Sequence, residues 1–169
     1  KVDILNIMGP AIMGAAGLWG LGRTSRGRLA LFLGAALAIA FLTPPVRATS
    51  LLDVLPDPVE GYLRPRPGFT NFAIFPWAAF VAAGAFVGVL VDAARTRDAE
   101  RRLNAWLAAA GLALAAAAYG ASYLPSPYER SDFWTSSPAF FLLRTGLLVA
   151  AIGAAYAWQQ RPNGETRFS

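Results

Sequence analysis

The sequence contains no cysteine and no histidine. Disulfides, thiol catalysis and thiolate metal sites are therefore excluded, and no imidazole serves as a base or ligand within these residues. No metal site is expected. A glycine-rich phosphate loop ending in Lys-Ser/Thr, an HExxH pair and a nucleophile elbow are also missing. No catalytic residue can be assigned from what remains. Charge is sparse, at 15% of residues against 56% hydrophobic. Period-2 alternation is lacking too, which argues against a membrane β-barrel. The net charge of +5 does not point to nucleic acid, because the basic residues sit in short loops between apolar runs, where they set membrane orientation.

What is present is a series of long apolar blocks, each close to the roughly 20 residues that span a bilayer. The expected fold class is all-α, a polytopic transmembrane helix bundle of about five spans. The spans are predicted near residues 2–22, 29–46, 71–91, 105–124 and 138–158 of a single transmembrane domain. The lipid bilayer is the first expected partner. The chain begins at Lys1 without an initiator methionine and ends at Arg167-Phe168-Ser169. Both ends are expected to be cuts through a longer protein, whose remaining helices would be further partners, with a homo-oligomer also open.

The first block carries Asp3 and Asn6 on one helix face and Pro10 four residues beyond Asn6. Pro10 cannot donate a hydrogen bond, so it frees the Asn6 carbonyl. Two readings stand: a capped helix start with a kink, or a polar spot facing a cavity. Gly14, Gly17 and Gly20 form a small-residue edge, and Gly84 and Gly88 repeat the pattern in the third block; both are expected to allow close helix contact. The second block is short for a span and ends at Thr43-Pro44-Pro45. Residues 47–70 are too rich in proline for a long helix. Leu51, Leu52, Val54 and Leu55 there form either a turn on the membrane surface or part of a semi-rigid loop. Pro76 is expected about one turn into the third span, freeing the Phe72 carbonyl, with Trp77 near the interface. Asp98, Arg101 and Arg102 are spaced to extend a helix beyond the membrane.

The last block begins with a polar, aromatic leader, SDFWTSS, followed by Pro138 and a long apolar run holding Arg144. Ser137 suits the cap and Pro138 the first turn. Arg144 then lies about two turns in, roughly 9–10 Å from the helix start. An arginine at that depth costs at least a few kcal/mol unless it snorkels, meets water or pairs. With the N-terminal end outside, Arg23, Arg26, Arg28, Arg95, Arg97, Arg101, Arg102, Arg161 and Arg167 fall inside, and only Lys1, Arg47, Arg64, Arg66 and Arg130 fall outside. That imbalance favours the N-terminal end outside and the C-terminal end cytoplasmic. Asp3, Asn6 and Arg144 then share one leaflet and form the candidate intramembrane polar site, with Asp3 expected to neutralise Arg144. The alternative is a snorkelling Arg144 served by Asp132 or Glu129. Trp77, Asp132, Trp134 and Ser137 form the candidate outer-face pocket.

KVDILNIMG at the start, FTNFAIFPWAAFVAAGAFVG at residues 69–88 and SDFWTSSPAFFLLRTGLL at residues 131–148 resemble the membrane-embedded acyltransferases related to heparan-alpha-glucosaminide N-acetyltransferase. The likeness is greatest to bacterial members. The resemblance implies a middle portion of an integral membrane acyltransferase in a bacterial cytoplasmic membrane. It implies transfer of an acyl group, typically acetyl from acetyl-CoA or another acyl-CoA, to a sugar-like or other acceptor. The family's catalytic histidine would lie upstream of Lys1, so this stretch alone is expected to be inactive. A transporter or channel fragment and a non-catalytic membrane scaffold remain the alternative readings.

Overall fold

A computed structural model of the chain describes residues 3–66, 70 and 72–160. The fold is an all-α bundle, as expected. Its helices are α1 (Ile4–Leu21), α2 (Ser25–Ala48), α3 (Asp57–Leu63), α4 (Ile74–Ala93), α5 (Arg97–Ala121) and α6 (Pro138–Gln159), with a 3₁₀ turn at Ser50–Val54. All but α3 and the 3₁₀ turn are long and apolar enough to cross a membrane, which is compatible with an integral membrane protein. Val2 of the first predicted span and Asn71 of the third lie outside the described residues.

Local chemistry explains where the helices start. Thr24 accepts the Gly27 N–H at 3.0 Å, Thr96 accepts the Ala99 N–H at 3.2 Å, and Ser137 accepts the Ala139 N–H at 3.2 Å. Each is a side-chain N-cap that satisfies one of the donors a helix start leaves open. Caps at Thr24 and Thr96 draw residues 25–28 and 97–104, which lie between the predicted spans, into helices. The extension past the membrane through Asp98, Arg101 and Arg102 is present.

Two boundaries differ from expectation. Helix α2 does not stop at Thr43-Pro44-Pro45 but continues to Ala48, for 24 residues. Each proline removes one donor, and for Pro45 the orphaned acceptor is the Phe41 carbonyl. That acceptor is satisfied from far away: the Tyr128 hydroxyl donates to it at 3.0 Å. In α4, Phe75 is extended (φ −95°, ψ 112°), the conformation that a following proline favours. Pro76 therefore opens the regular helix instead of sitting a turn inside it, and it frees no Phe72 carbonyl.

Two helix pairs carry the packing. Ala36 and Ala40 of α2 meet Ala79 and Ala82 of α4, with Phe141 of α6 closing the cluster. Helices α5 and α6 meet backbone to backbone. A methyl group on Gly146 would lie 2.6 Å from the Gly111 carbonyl oxygen, and one on Gly153 would lie 2.7 Å from the Asn104 carbonyl oxygen. These glycines, and not the predicted ones, permit close contact. A methyl group at Gly14, Gly17, Gly20, Gly84 or Gly88 would meet nothing within 4 Å, so those edges make no helix contact among the described residues. Their spacing is right, but they face away from the neighbouring helices.

Helix directions alternate, so Asp3, the end of α2, the start of α4, the end of α5 and the start of α6 gather at one end of the bundle. The long connections, 49–73 and 122–137, are both there. At the opposite end, among the described residues, lie the short links Gly22–Thr24 and Ala94–Thr96 and the end of α6.

Candidate functional site

The looped end is organised by a buried carboxylate. Glu60 is 5% exposed. Arg64, one helical turn on, donates to it from Nε at 2.7 Å and also reaches Asp53. The same guanidinium donates to the carbonyls of Thr49 at 2.5 Å and Arg47 at 3.5 Å. Arg66 adds Asp57 and approaches Glu60 at 3.1 Å. Burial by itself lowers the Arg64 pKa, but hydrogen bonds and charge from Glu60 and Asp53 hold it above the ordinary arginine value. The group is a charged clamp. It ties the proline-rich connection to the last turn of α2 and so fixes the backbone that carries Arg47.

The 3₁₀ turn within that connection contains Leu51, Leu52 and Val54. Leu51 is 78% and Val54 84% exposed, so of the two sequence readings a short turn with outward apolar side chains is the one formed.

The segment leading into α6 is organised by Asp132. Its carbonyl accepts the N–H groups of Ser136 at 2.9 Å and Ser137 at 3.0 Å. Its carboxylate accepts from the Trp134 N–H at 3.2 Å and the Thr135 hydroxyl at 2.9 Å. Asp132 thus builds a turn that sets Trp134 and Ser137 at the mouth of α6.

Between these two structures lies a pocket of about 90 Å³ lined by Arg47, Trp77, Trp134, Ser137, Phe140 and Arg144, among others. Trp77 stands against Phe72 and Phe80, with ring centroids 5.0 and 5.7 Å apart, and Phe80 against Phe141 at 4.7 Å. Trp134 meets Phe140 edge-on at 5.2 Å. Arg144 is one turn beyond Phe140 on the same face, and its guanidinium lies 4.1 Å from that ring's centroid. Beside this pocket is a second, wider cleft of about 620 Å³, lined by Arg47, Asp53, Arg64, Arg130 and Asp132 among others. Arg47 belongs to both.

The structure therefore brings together Trp77, Trp134, Ser137 and Arg144, and sets Asp132 in the adjoining cleft. It does not join Asp3 to Arg144. The Asp3 carboxylate accepts the Ile4 N–H at 2.7 Å and caps α1. Its carbonyl accepts the Asn6 N–H at 3.0 Å. Neither Asp3 nor Asn6 lines the pocket. The bland reading of the first block, a capped helix start, is the one the structure bears out. The reason is geometric: α1 packs on α4 and α2, whereas α6 packs on α5. The favourable ring contact leaves Arg144 without a carboxylate partner among the described residues, and neither Asp132 nor Glu129 forms an ion pair with it.

The sequence reading missed Arg47, Arg130 and Tyr128. A usable signal for Arg47 was the length of the second block. A run too short for a span implied that the helix continued at its ends, which carries Arg47 into its last turn.

Chemically, the site holds guanidinium groups, indole and phenyl faces and two hydroxyls, that of Ser137 accepting as a cap and that of Thr135 donating to Asp132. It can bind and orient an anionic or hydroxylated group against aromatic walls. Among the described residues no group of three potential metal ligands occurs, and no acid–base pair faces the pocket. Compared with protein-family models, curated proteins and solved structures, the chain has no match.

Proposed function

We propose that the chain is the middle part of an integral membrane acyltransferase, moving an acyl group, in the first instance acetyl from acetyl-CoA, to a sugar-like or other acceptor. The observation that carries the reading is the pocket between Arg47, Trp77, Trp134 and Arg144. Aromatic faces and guanidinium forks are suited to hold a polar acceptor at the edge of a bilayer, and no carboxylate lines the pocket among the described residues. A site that binds but lacks a base is what a portion of such an enzyme without its histidine-bearing helix would contain. The motifs quoted above for residues 69–88 and 131–148 supply two of its walls. The remaining helices, a bacterial cytoplasmic membrane and an outside location for the looped end belong to the same proposal.

The test uses the full-length protein in proteoliposomes, with labelled acetyl-CoA on one side and a panel of amino sugars on the other. The intact protein is expected to transfer label. Arg144→Gln and Trp77→Ala should each lower kcat/KM at least tenfold, chiefly through KM, because they remove binding and not chemistry. The present 169 residues alone should show no turnover above a heat-killed control. Turnover by this stretch alone, or full-length transfer unaffected by both substitutions, would refute the proposal. Since these 169 residues hold no cysteine, a single cysteine at position 97 in this stretch by itself reports orientation without background: labelling by an impermeant reagent is expected only from the cytoplasmic side.

A further inference from the structure

The wide cleft carries a separate inference, independent of the acyltransferase reading. Its charges do not cancel locally. Arg64 is committed to Glu60 and Asp53, and Asp53 to Arg64. Both Asp132 carboxylate oxygens accept from their own turn, Oδ1 from the Trp134 N–H and Oδ2 from the Thr135 hydroxyl. Arg47 and Arg130 remain, and neither forms an ion pair among the described residues. The Arg47 Nε is buried and meets no hydrogen-bond acceptor there. A buried guanidinium N–H without an acceptor costs free energy and calls for an explanation.

The backbone on which both arginines stand is also held in place. The Arg47 carbonyl is bonded by Arg64. Arg130 lies between two anchors: Tyr128, whose hydroxyl reaches α2 at the Phe41 carbonyl, and the turn built by Asp132. The segment bearing Arg130 is thus pinned beside the helix end bearing Arg47. Helix α2, at 24 residues, is about 36 Å long at 1.5 Å per residue. That exceeds the roughly 30 Å hydrocarbon core by about one turn, shared between the end with Arg26 and Arg28 and the end with Arg47, so Arg47 lies close to the depth of lipid headgroups.

We propose that Arg47 and Arg130 form a phosphate-binding site in this cleft. Planar guanidinium forks match phosphate oxygens in pairs, and two such forks, neither of them ion-paired although Asp132 lines the same cleft and its charge acts on Arg47, favour a phosphate over a neutral ligand. The phosphate can belong to an anionic lipid headgroup or to a soluble phosphate compound, and the experiment separates the two.

The purified 169-residue chain is melted in neutral detergent with inorganic phosphate against chloride at equal ionic strength. It is also melted in nanodiscs of phosphatidylcholine with and without phosphatidylglycerol. A ligand that binds only the folded state raises the melting temperature. A rise with inorganic phosphate supports a soluble phosphate; a rise only with phosphatidylglycerol supports a lipid headgroup. Arg47→Gln and Arg130→Gln should each weaken the response at least tenfold in ligand concentration, and Arg26→Gln, at the opposite end, should leave it unchanged. Arg130 is exposed and makes no hydrogen bond or ion pair among the described residues, so its variant tests the site even if Arg47→Gln does not fold. No rise with either ligand overturns the proposal. A rise equally large in Arg130→Gln, or lost equally in Arg26→Gln, overturns it too.

Discussion

The two ends of the bundle solve the same problem with different chemistry. At the short-linked end, each helix pair is joined by three residues, Gly22–Thr24 and Ala94–Thr96. One side chain staples the first link: Arg28 donates from Nε to the Gly22 carbonyl at 2.9 Å and the Trp19 carbonyl at 3.3 Å, and stacks on the Trp19 ring at 3.9 Å. Gly22 is needed for this, since a methyl group there would lie 2.5 Å from the Arg28 Cγ. At the looped end, the first long connection is held by a network of buried and half-buried charges around Glu60, and the second by the Asp132 turn and the Tyr128 bond to α2. The short links close the fold using a threonine cap and one arginine. The long connections use many polar residues, and there Arg47, Arg130 and Arg144, none of them ion-paired among the described residues, line two adjoining cavities. The longer chain at the looped end builds two adjoining cavities, and the cost is a buried charge network that must stay complete.

That contrast is broken most severely by Glu60→Ala. The glutamate side chain is 7% exposed and its Arg64 partner 14%. Removing one member of a buried pair strands the other, and typically costs about 3–5 kcal/mol. The expected result is a large drop in thermal stability in detergent, together with faster proteolysis within residues 49–66. Stability within about 1 kcal/mol of the parent would mean that the network is ornamental and the two ends are equivalent.

Next in size is Arg28→Ala at the other end. It removes charged hydrogen bonds to two carbonyls and a ring contact, worth together about 1.5–3 kcal/mol. Arg28→Lys should recover only part of this, because one Nε–H serves both carbonyls while the planar guanidinium stacks on Trp19, and an ammonium at the end of its stem cannot reproduce that arrangement. Full rescue by lysine would show that charge and not geometry secures the short link.

How much of this was legible in the sequence depends on the length scale of the interaction. The spans, the Ser137 cap and the grouping of Trp77, Trp134 and Ser137 follow from block length, local capping and helix direction. Each needs only neighbours in the chain or the alternation of helices. The failures are pairwise choices between distant elements. Asp3 and Arg144 belong to the same end of the bundle, but which helices touch decides whether they meet, and the packing of α1 on α4 and α2 separates them. Gly84 and Gly88 have the spacing of a contact motif, whereas the contact lies at Gly111, Gly146 and Gly153. Spacing states that a flat edge exists and not what faces it. The Pro44-Pro45 pair reads locally as a stop; only the hydroxyl of Tyr128, far along the chain, shows why the helix tolerates it.

Tyr128→Phe sharpens that last point. It removes the donor to the Phe41 carbonyl and nothing else, an expected loss of about 0.5–1.5 kcal/mol. Hydrogen exchange should rise in the last turn of α2 and in residues 126–132 together, because the bond links the two. If only one of the segments loosens, the link is not what positions Arg130 beside Arg47.

The smallest effect is expected from Asp92→Asn. Asp92 and Arg95 form an ion pair at 3.3 Å, with side chains 64% and 77% exposed. Both groups remain in water, so there is little desolvation to recover, and ordering two mobile side chains offsets most of the attraction. Exposed pairs of this kind contribute about 0–1 kcal/mol and weaken with salt. The melting temperature should move by a degree or less, and added salt should erase the difference. The comparison with Glu60 is what gives this result its value. Both substitutions remove one carboxylate from an arginine at one end of the bundle, and they differ in burial and in the number of groups the arginine serves. If Asp92→Asn proved as damaging as Glu60→Ala, burial would not be what separates the two ends, and the short link Ala94–Thr96 would depend on charge as heavily as the looped end does.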